Sequence, residues 1–308
     1  MNSLKEISQL DDALIVCKAL SSELRIDIIK LLNKHHKMNL NELSECLGVT
    51  NGAMTSHIKI LLESGIIDIE HTSGKRGSQK TCSLKENQFL INLNNQKKCK
   101  NSYETEIPIG QYSNYLASPT CGICTTSAII GEVDDNRYFD SPMHVDAGIL
   151  WLSKGFLEYR IPNYLKMEQT PTELQFSFEI SSEAPGTQEN WPSDIYFYFN
   201  DIPLGYWTSP GDFGNKRGIY SPNWWPSYWN QYGLLKLLSI NATGTYLDGQ
   251  QISNVTIQSL KLDSKSELKL KFAVMEQSKH IGGMTLFGKG FGNHNQNIKV
   301  QVTYEINL

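Results

Sequence analysis

Apolar residues recur at helical spacing in the first third of the chain and at strand spacing afterwards. Leu4, Ile7, Leu10, Leu14 and Cys17 fall three to four residues apart, which predicts an amphipathic helix over 4–17. Leu24, Ile28, Leu31 and Leu32 predict a second over about 21–33, and Leu40, Leu43 and Leu47 a short third. Gly48 and Val49 interrupt that pattern. The Thr50 hydroxyl is placed to cap a fourth helix that reaches about Glu63 and turns Ala53, Met54, Ile58 and Leu61 inward. Beyond Gly65, an extended run over 66–70, a turn over 73–78 and a return strand over 79–84 predict a hairpin with a basic, glycine-flanked tip.

The outward face of the fourth helix carries Asn51, Gly52, Thr55, Ser56 and Lys59. A helix that enters the DNA major groove needs such residues, short enough for close approach and polar enough to meet base edges. Lys75 and Arg76 at the hairpin tip stand where a wing would reach phosphate. These elements together spell a winged helix-turn-helix, and the segment resembles the ArsR-type family of bacterial regulators. The matching residues are Ala19 to Ile26 with Leu31 and Leu32, Leu40 to Leu43, Thr50 to Leu61, Glu63 to Ile67 and the hairpin. The resemblance covers roughly the first 90 residues and implies double-stranded operator DNA as a partner and a homodimer built partly from the first helix. Metal-sensing members carry a Cys-x-Cys pair where this chain has Met38-Asn39-Leu40-Asn41, so the soft-metal thiolates are missing there and no metal is expected as the signal.

From about Tyr103 the pattern changes to short alternating or apolar runs between turn residues. Strands are predicted over 148–152, 156–161, 173–180, 195–200, 202–207, 255–260, 267–276, 285–287 and 298–305. Leu268, Leu270, Phe272 and Val274, and likewise Val300, Val302 and Tyr304, alternate as residues with one buried face do. The fold class expected is multidomain α+β: a winged helix-turn-helix over 1–92, a polar linker over 93–104, and an antiparallel, jelly-roll-like β-sandwich over 105–308.

Charge separates the two parts. Residues 1–100 hold 14 basic against 11 acidic side chains and the remainder 14 against 21, within a net charge of −4. Only the first part has an electrostatic case for nucleic acid. All six cysteines precede residue 125, and the β-rich remainder uses none, as suits a reducing compartment. Cys17 and Cys46 read as small buried hydrophobes. The N-terminus runs directly into a charged helix and no apolar run is long enough to span a membrane, so a cytoplasmic protein with no membrane partner is expected.

Five of the six tryptophans fall in residues 183–232, among glycines, prolines and acids. Flat aromatic faces stack on the C–H faces of sugars while neighbouring polar groups take hydroxyls, so this region is the candidate sensor for a small effector, a carbohydrate or glycoside. The residues singled out are Trp191, Asp194, Asp212, Arg217, Trp224, Trp225, Tyr228 and Tyr232, with His280 and Asn293 from a glycine-dense loop that lacks the ending of a phosphate loop. The same aromatics would serve equally to close the ends of a sandwich. At the level of texture the region is similar to carbohydrate-associated jelly-roll and galactose-binding-like sandwiches. The rival reading is a glycoside-processing enzyme using carboxylates among Glu183, Asp194, Asp201 and Asp212; a third is a protein-interaction module. A non-catalytic sensor without a cofactor is the expectation. Cys121-Gly122-Ile123-Cys124 reads as a turn holding two ordinary thiols, with Cys99 and His144 the nearest residues for a metal set of no regular spacing.

Overall fold

Local capping chemistry sets the helices of the first part. The computed structural model describes residues 3–7, 10–74, 77–91 and 101–307, and the chain divides into two units, 1–97 and 98–308. In the first, β1 (Ser3–Ile7) precedes α1 (Leu10–Leu20), α2 (Glu23–His35), β2 (Lys37–Asn39), α3 (Leu40–Leu47), α4 (Asn51–Glu63), β3 (Ile67–Gly74), β4 (Gly77–Leu84) and β5 (Glu86–Ile91). Asn39 starts α3 with a capping box: its side chain accepts from the Glu42 amide while Glu42 accepts from the Asn39 amide. Gly48, left-handed at φ 65°, ends α3, and Thr50 caps α4 through the Ala53 amide. Arg25 is buried and donates to the carbonyls of Ala19 and Lys18 at 2.6 and 2.7 Å, satisfying two orphan acceptors at the end of α1. Ile28, Leu32, Leu43, Met54, Ile58 and Leu61 close the core over β3 and β4.

Three expectations change here. Residues 4–7 belong to a strand, since β1 pairs in parallel with β5. The helix therefore begins at Leu10, and it buries its small side chains, Ala13, Val16 and Ala19. Leu10, Leu14, Ile15, Leu20 and Cys17 face outward, opposite to the expected stripe, because only the small row allows α1 close to α2 and α4. Cys46 and Ala53 are exposed as well.

The second unit is a large antiparallel β-sandwich of β6 (Asn101–Ile107), β7 (Asn114–Cys124), β8 (Ile149–Ile161), β9 (Gln169–Ser181), β10 (Ser193–Phe199), β11 (Ile202–Ser209), β12 (Leu234–Asn241), β13 (Gly244–Leu247), β14 (Gln250–Ser253), β15 (Leu268–Val274), β16 (Met284–Phe287) and β17 (Ile298–Ile306). One layer runs β11-β10-β15-β8-β7 and the other β14-β13-β12-β9-β17-β6; β16 pairs with β8 and with β9 and so joins them. Phe176 and Phe178 of β9 meet Phe197 and Phe199 of β10 and Phe272 of β15, with ring centroids 4.8–5.9 Å apart. These contacts between layers form the main core.

The strands expected over 148–152 and 156–161 are one strand, β8, bent at Gly155 (φ 121°). A side chain there would meet the Leu116 carbonyl of β7 at 1.8 Å, so only glycine permits this approach. Residues 255–260 are not a strand: Gln258–Leu260 form a 3-10 turn that plugs the core with Ile257 and Leu260. Residues 101–104, from the polar stretch between the two patterns, lie in β6 and pair with β17. Cys121 and Cys124 lie in β7 rather than in a turn. Three residues apart on a strand, they face opposite sides and enter two separate apolar clusters. Burial pushes their thiols up to about 11 and about 12, away from the thiolate that metal binding requires. Cys99 lies outside the described residues.

Candidate functional site

Two sites merit description, one in each unit. On α4, Asn51, Gly52, Thr55, Ser56 and Lys59 are all exposed while Met54, Ile58 and Leu61 hold the helix to the core. Thr55 and Ser56 donate their hydroxyl protons back to the Asn51 and Gly52 carbonyls at 2.7 and 3.3 Å, which leaves oxygen lone pairs outward. Asn51 donates to the Asn41 side chain of α3, which fixes its amide. Lys59 stands 3.8 Å from Glu63, both well exposed, a pairing weak enough to give way to a phosphate. In the hairpin Gly74 pairs with Gly77, so the connection is the two-residue Lys75-Arg76. Those two residues lie outside the described residues.

The second site is a cleft of about 270 Å³ at one end of the sandwich, lined by Trp151, Trp225, Trp229, Glu183, Asn230, Thr285 and the exposed Asp134, among others. Trp151 comes from β8, Thr285 from β16, and Trp225, Trp229 and Asn230 from the long β11–β12 loop. The indoles sit on a small second core of Cys124, Ile149, Phe287 and Phe291. Trp225 is only 2% exposed, and its Nε1 donates to the Asn230 carbonyl at 2.9 Å. Asn230 spends its amide nitrogen on Ser181 Oγ, the Ser182 carbonyl and Thr285 Oγ1 at 2.7–3.1 Å, and Thr285 donates to Glu183 at 2.8 Å. Burial, then the nearby Asp212 charge, pushes the Glu183 carboxyl well above the usual range. Asp212 is fully buried, accepts from the Ala184 amide at 3.0 Å and is pushed by burial up to about 7.

Of the residues singled out for the effector in the sequence, Trp225 lines this cleft, and of the carboxylates named for the rival enzyme, Glu183 does. Trp224 packs edge-on to Trp225 and donates to the Thr126 carbonyl, and Tyr228, 67% exposed, packs edge-on to Trp229. The others are engaged elsewhere. Arg217 braces its own loop through the Trp225 and Pro222 carbonyls. Tyr232 stacks on Phe213 and donates to Asn215. Asp194 accepts from Thr208 and from His280; burial raises its carboxyl, but these hydrogen bonds together outweigh it and leave it below the usual range. Trp191 is held by its amide on the Pro210 carbonyl. Asn293 accepts from the Ile219 amide. Trp151 was hidden by its setting, an apolar strand run that reads as plain core. Trp229 and Asn230 stood within the aromatic region, but nothing in one-dimensional spacing separates them from Tyr228 or Tyr232.

Behind the cleft loops lies Glu179, fully buried at the end of β9. Its carboxylate accepts from the amides of Gly233, Asn293 and His294 at 2.7–3.1 Å and so clasps two loops to one strand. Gly292 must lack a side chain, because a Cβ would lie 2.4 Å from the Glu179 oxygen. Burial pushes this carboxyl up to about 8 against the pull of the three amides.

Three carboxyls with raised values give the sandwich a pH signature. The folded state holds protons between about pH 4 and 7–8 that the unfolded chain has released, so stability falls as pH rises through that window. The melting temperature of the sandwich is expected to be higher at pH 5 than at pH 8, and Asp212→Asn is expected to flatten the slope. A melting temperature that rises over this range contradicts the assignment.

Residues 22–68 match the model of a family described as bacterial regulatory protein, arsR family, and α2, α3 and α4 lie there. The β-rich part is similar to the CBM36-1 domain of a multidomain xylanase from the hindgut metagenome of Trinervitermes trinervoides, at 6% identity and a TM-score of 0.28 over 66% of this chain and 96% of that one. It is also similar to a carbohydrate-binding module CBM36 in complex with calcium and xylotriose, at 9% identity and a TM-score of 0.26 over 67% and 99%. A Paenibacillus sp. cycloisomaltooligosaccharide glucanotransferase complexed with cycloisomaltoheptaose matches at 6% identity and a TM-score of 0.29 over 65% of this chain and 19% of its own. No curated protein matches the chain. Among the described residues no helix is long and apolar enough to cross a membrane.

Proposed function

We propose that the chain is a DNA-binding transcriptional regulator whose sandwich senses a small ligand, a carbohydrate or glycoside, without turning it over. The observation that carries the reading is the exposed polar face of α4, held on a winged helix-turn-helix whose residues match the arsR family model. The Trp cleft supports the sensing half, because it joins aromatic surface to a few fixed polar groups in a concave site. The outward apolar residues of α1, Leu10, Leu14 and Leu20, support a homodimer, and a regulator of this kind acts in the cytoplasm. Ligand acts by shifting the population between states of different operator affinity.

Thr55→Ala with Ser56→Ala is expected to weaken operator binding by about 0.5–1.5 kcal/mol per lost hydrogen bond while leaving non-specific binding nearly unchanged. Lys59→Ala, Lys75→Ala and Arg76→Ala are expected to weaken both and flatten the salt dependence. Gel shifts at fixed salt check both, and unchanged operator affinity in the Thr55/Ser56 pair removes the assigned face.

The neighbouring carboxyls Glu183 and Asp212, both raised, favour one rival, a glycoside-processing enzyme. Thermal shift against sugars and glycosides, with product analysis, separates the readings. A melting shift without product supports the sensor, turnover supports the enzyme, and neither response leaves the sandwich as an interaction module.

A further inference from the structure

The Trp cleft is acidic. Glu183 and Asp134 are its charged lining residues, and no Lys, Arg or His is among the described residues that line it. Thr285 spends its proton on Glu183 and therefore faces any ligand as an acceptor. The Ser182 carbonyl fixes which end of the Asn230 amide is nitrogen, and Asn230 Oδ1, in a side chain 5% exposed, has no partner among the described residues. Asp212, whose charge acts on Glu183, has an equally unpartnered Oδ1.

The indoles add to this. Trp151 and Trp225 meet at 72°, Trp151 and Trp229 at 62°, and Trp225 and Trp229 at 83°, with centroids 4.9–6.0 Å apart. At these distances the rings pack edge to face, with Trp151 and Trp225 nearly buried, and the half-buried Trp229 is left to offer indole surface to the cleft. A cation is drawn to the negative face of such a ring, the more so with an acidic group beside it.

We propose that the cleft binds an alkylammonium group, with the cation against Trp229 and with Glu183 as its counter-ion, as an amino sugar or a simpler quaternary amine would supply. This rests on the sensor reading and adds a charge to it. Two neighbouring carboxyls, with no Lys, Arg or His among the described lining residues, hold their protons above the usual range, and an entering cation relieves that cost by letting them ionise. The ligand brings the positive charge that the cleft lacks, and a neutral polyol would leave the carboxylates uncompensated.

The test is isothermal titration of the full chain at pH 7, where glucosamine still carries its charge, with choline, glucosamine, glucose and N-acetylglucosamine. Choline or glucosamine is expected to bind at least tenfold more tightly than both neutral sugars. Choline alone points to a quaternary amine without a sugar body, and glucosamine alone to an amino sugar. Glu183→Gln, which preserves shape, is expected to weaken the cation at least tenfold with a melting temperature no lower than that of the unaltered chain. Choline keeps its charge at every pH, so in the unaltered chain its binding is expected to weaken at pH 5, where the raised carboxyls of Glu183 and Asp212 favour their protonated form; Asp134 is the other acidic residue of the lining. Glucose or N-acetylglucosamine binding as tightly as glucosamine overturns the charge inference and leaves the sugar sensor standing. No binding by any of the four, together with no response in the wider sugar and glycoside screen, overturns both.

Discussion

Glu179→Ala is expected to lower the stability of the sandwich by about 3 kcal/mol or more. Three backbone amides lose their acceptor at once, and each buried donor left unpaired costs about 1–3 kcal/mol. The loops that carry Trp225, Trp229 and the 288–297 glycines lose their anchor in the same step. Urea unfolding followed by tryptophan fluorescence is expected to show a lower midpoint with a similar slope. Glu179→Gln is expected to fall between, because its NH₂ group faces amides that need an acceptor. A midpoint unchanged by the alanine variant contradicts the clasp.

Trp225→Ala is expected to cost about 3–5 kcal/mol, the range for a large buried aromatic. It removes edge-to-face contacts with Trp151, Trp229 and Phe291, and leaves the Asn230 carbonyl without its indole donor. Near-ultraviolet circular dichroism and melting check this. A well-folded variant with an unchanged melting temperature would mean that the small core is not built around Trp225. This residue therefore tests packing. Recognition is better tested at Trp229, which is half-buried at the cleft, or at Glu183.

The sequence made the first unit legible because its signals are local. A capping residue, a glycine stop and an apolar stripe each act within one or two turns, so α2, α3, α4 and the hairpin stand close to where the spacing put them. At α1 the rule of large apolar residues inward failed, because close helix packing selected the small row of Ala13, Val16 and Ala19. In the sandwich, strands with strong alternation such as β10, β15 and β17 were legible, whereas β7, with Pro119 and Gly122, and the polar β6 are strands only through their long-range partners.

The surroundings of the cleft were legible as a neighbourhood and not as a set of contacts. Tryptophans among turn residues marked the loop that carries Trp225 and Trp229, but which indole lines the cleft depends on β8 and β16, distant in sequence. Arg217, Tyr232 and Asp194 carry the residue types that bind hydroxyls, yet they spend those groups on loop carbonyls, Asn215, Thr208 and His280. Spacing along the chain holds no record of these pairings. Glu179 had no signal at all, since an acid in an alternating strand reads as a solvent-facing residue.

The most direct test of the central claim is selection of bound duplexes from a random-sequence pool by the full chain and by the Thr55→Ala/Ser56→Ala variant, with melting curves to show that both are folded. The account predicts that the unaltered chain enriches one shared sequence with two related half-sites, and that the variant retains salt-sensitive binding without enriching it. No enrichment by the unaltered chain, or the same sequence from both proteins, would contradict it.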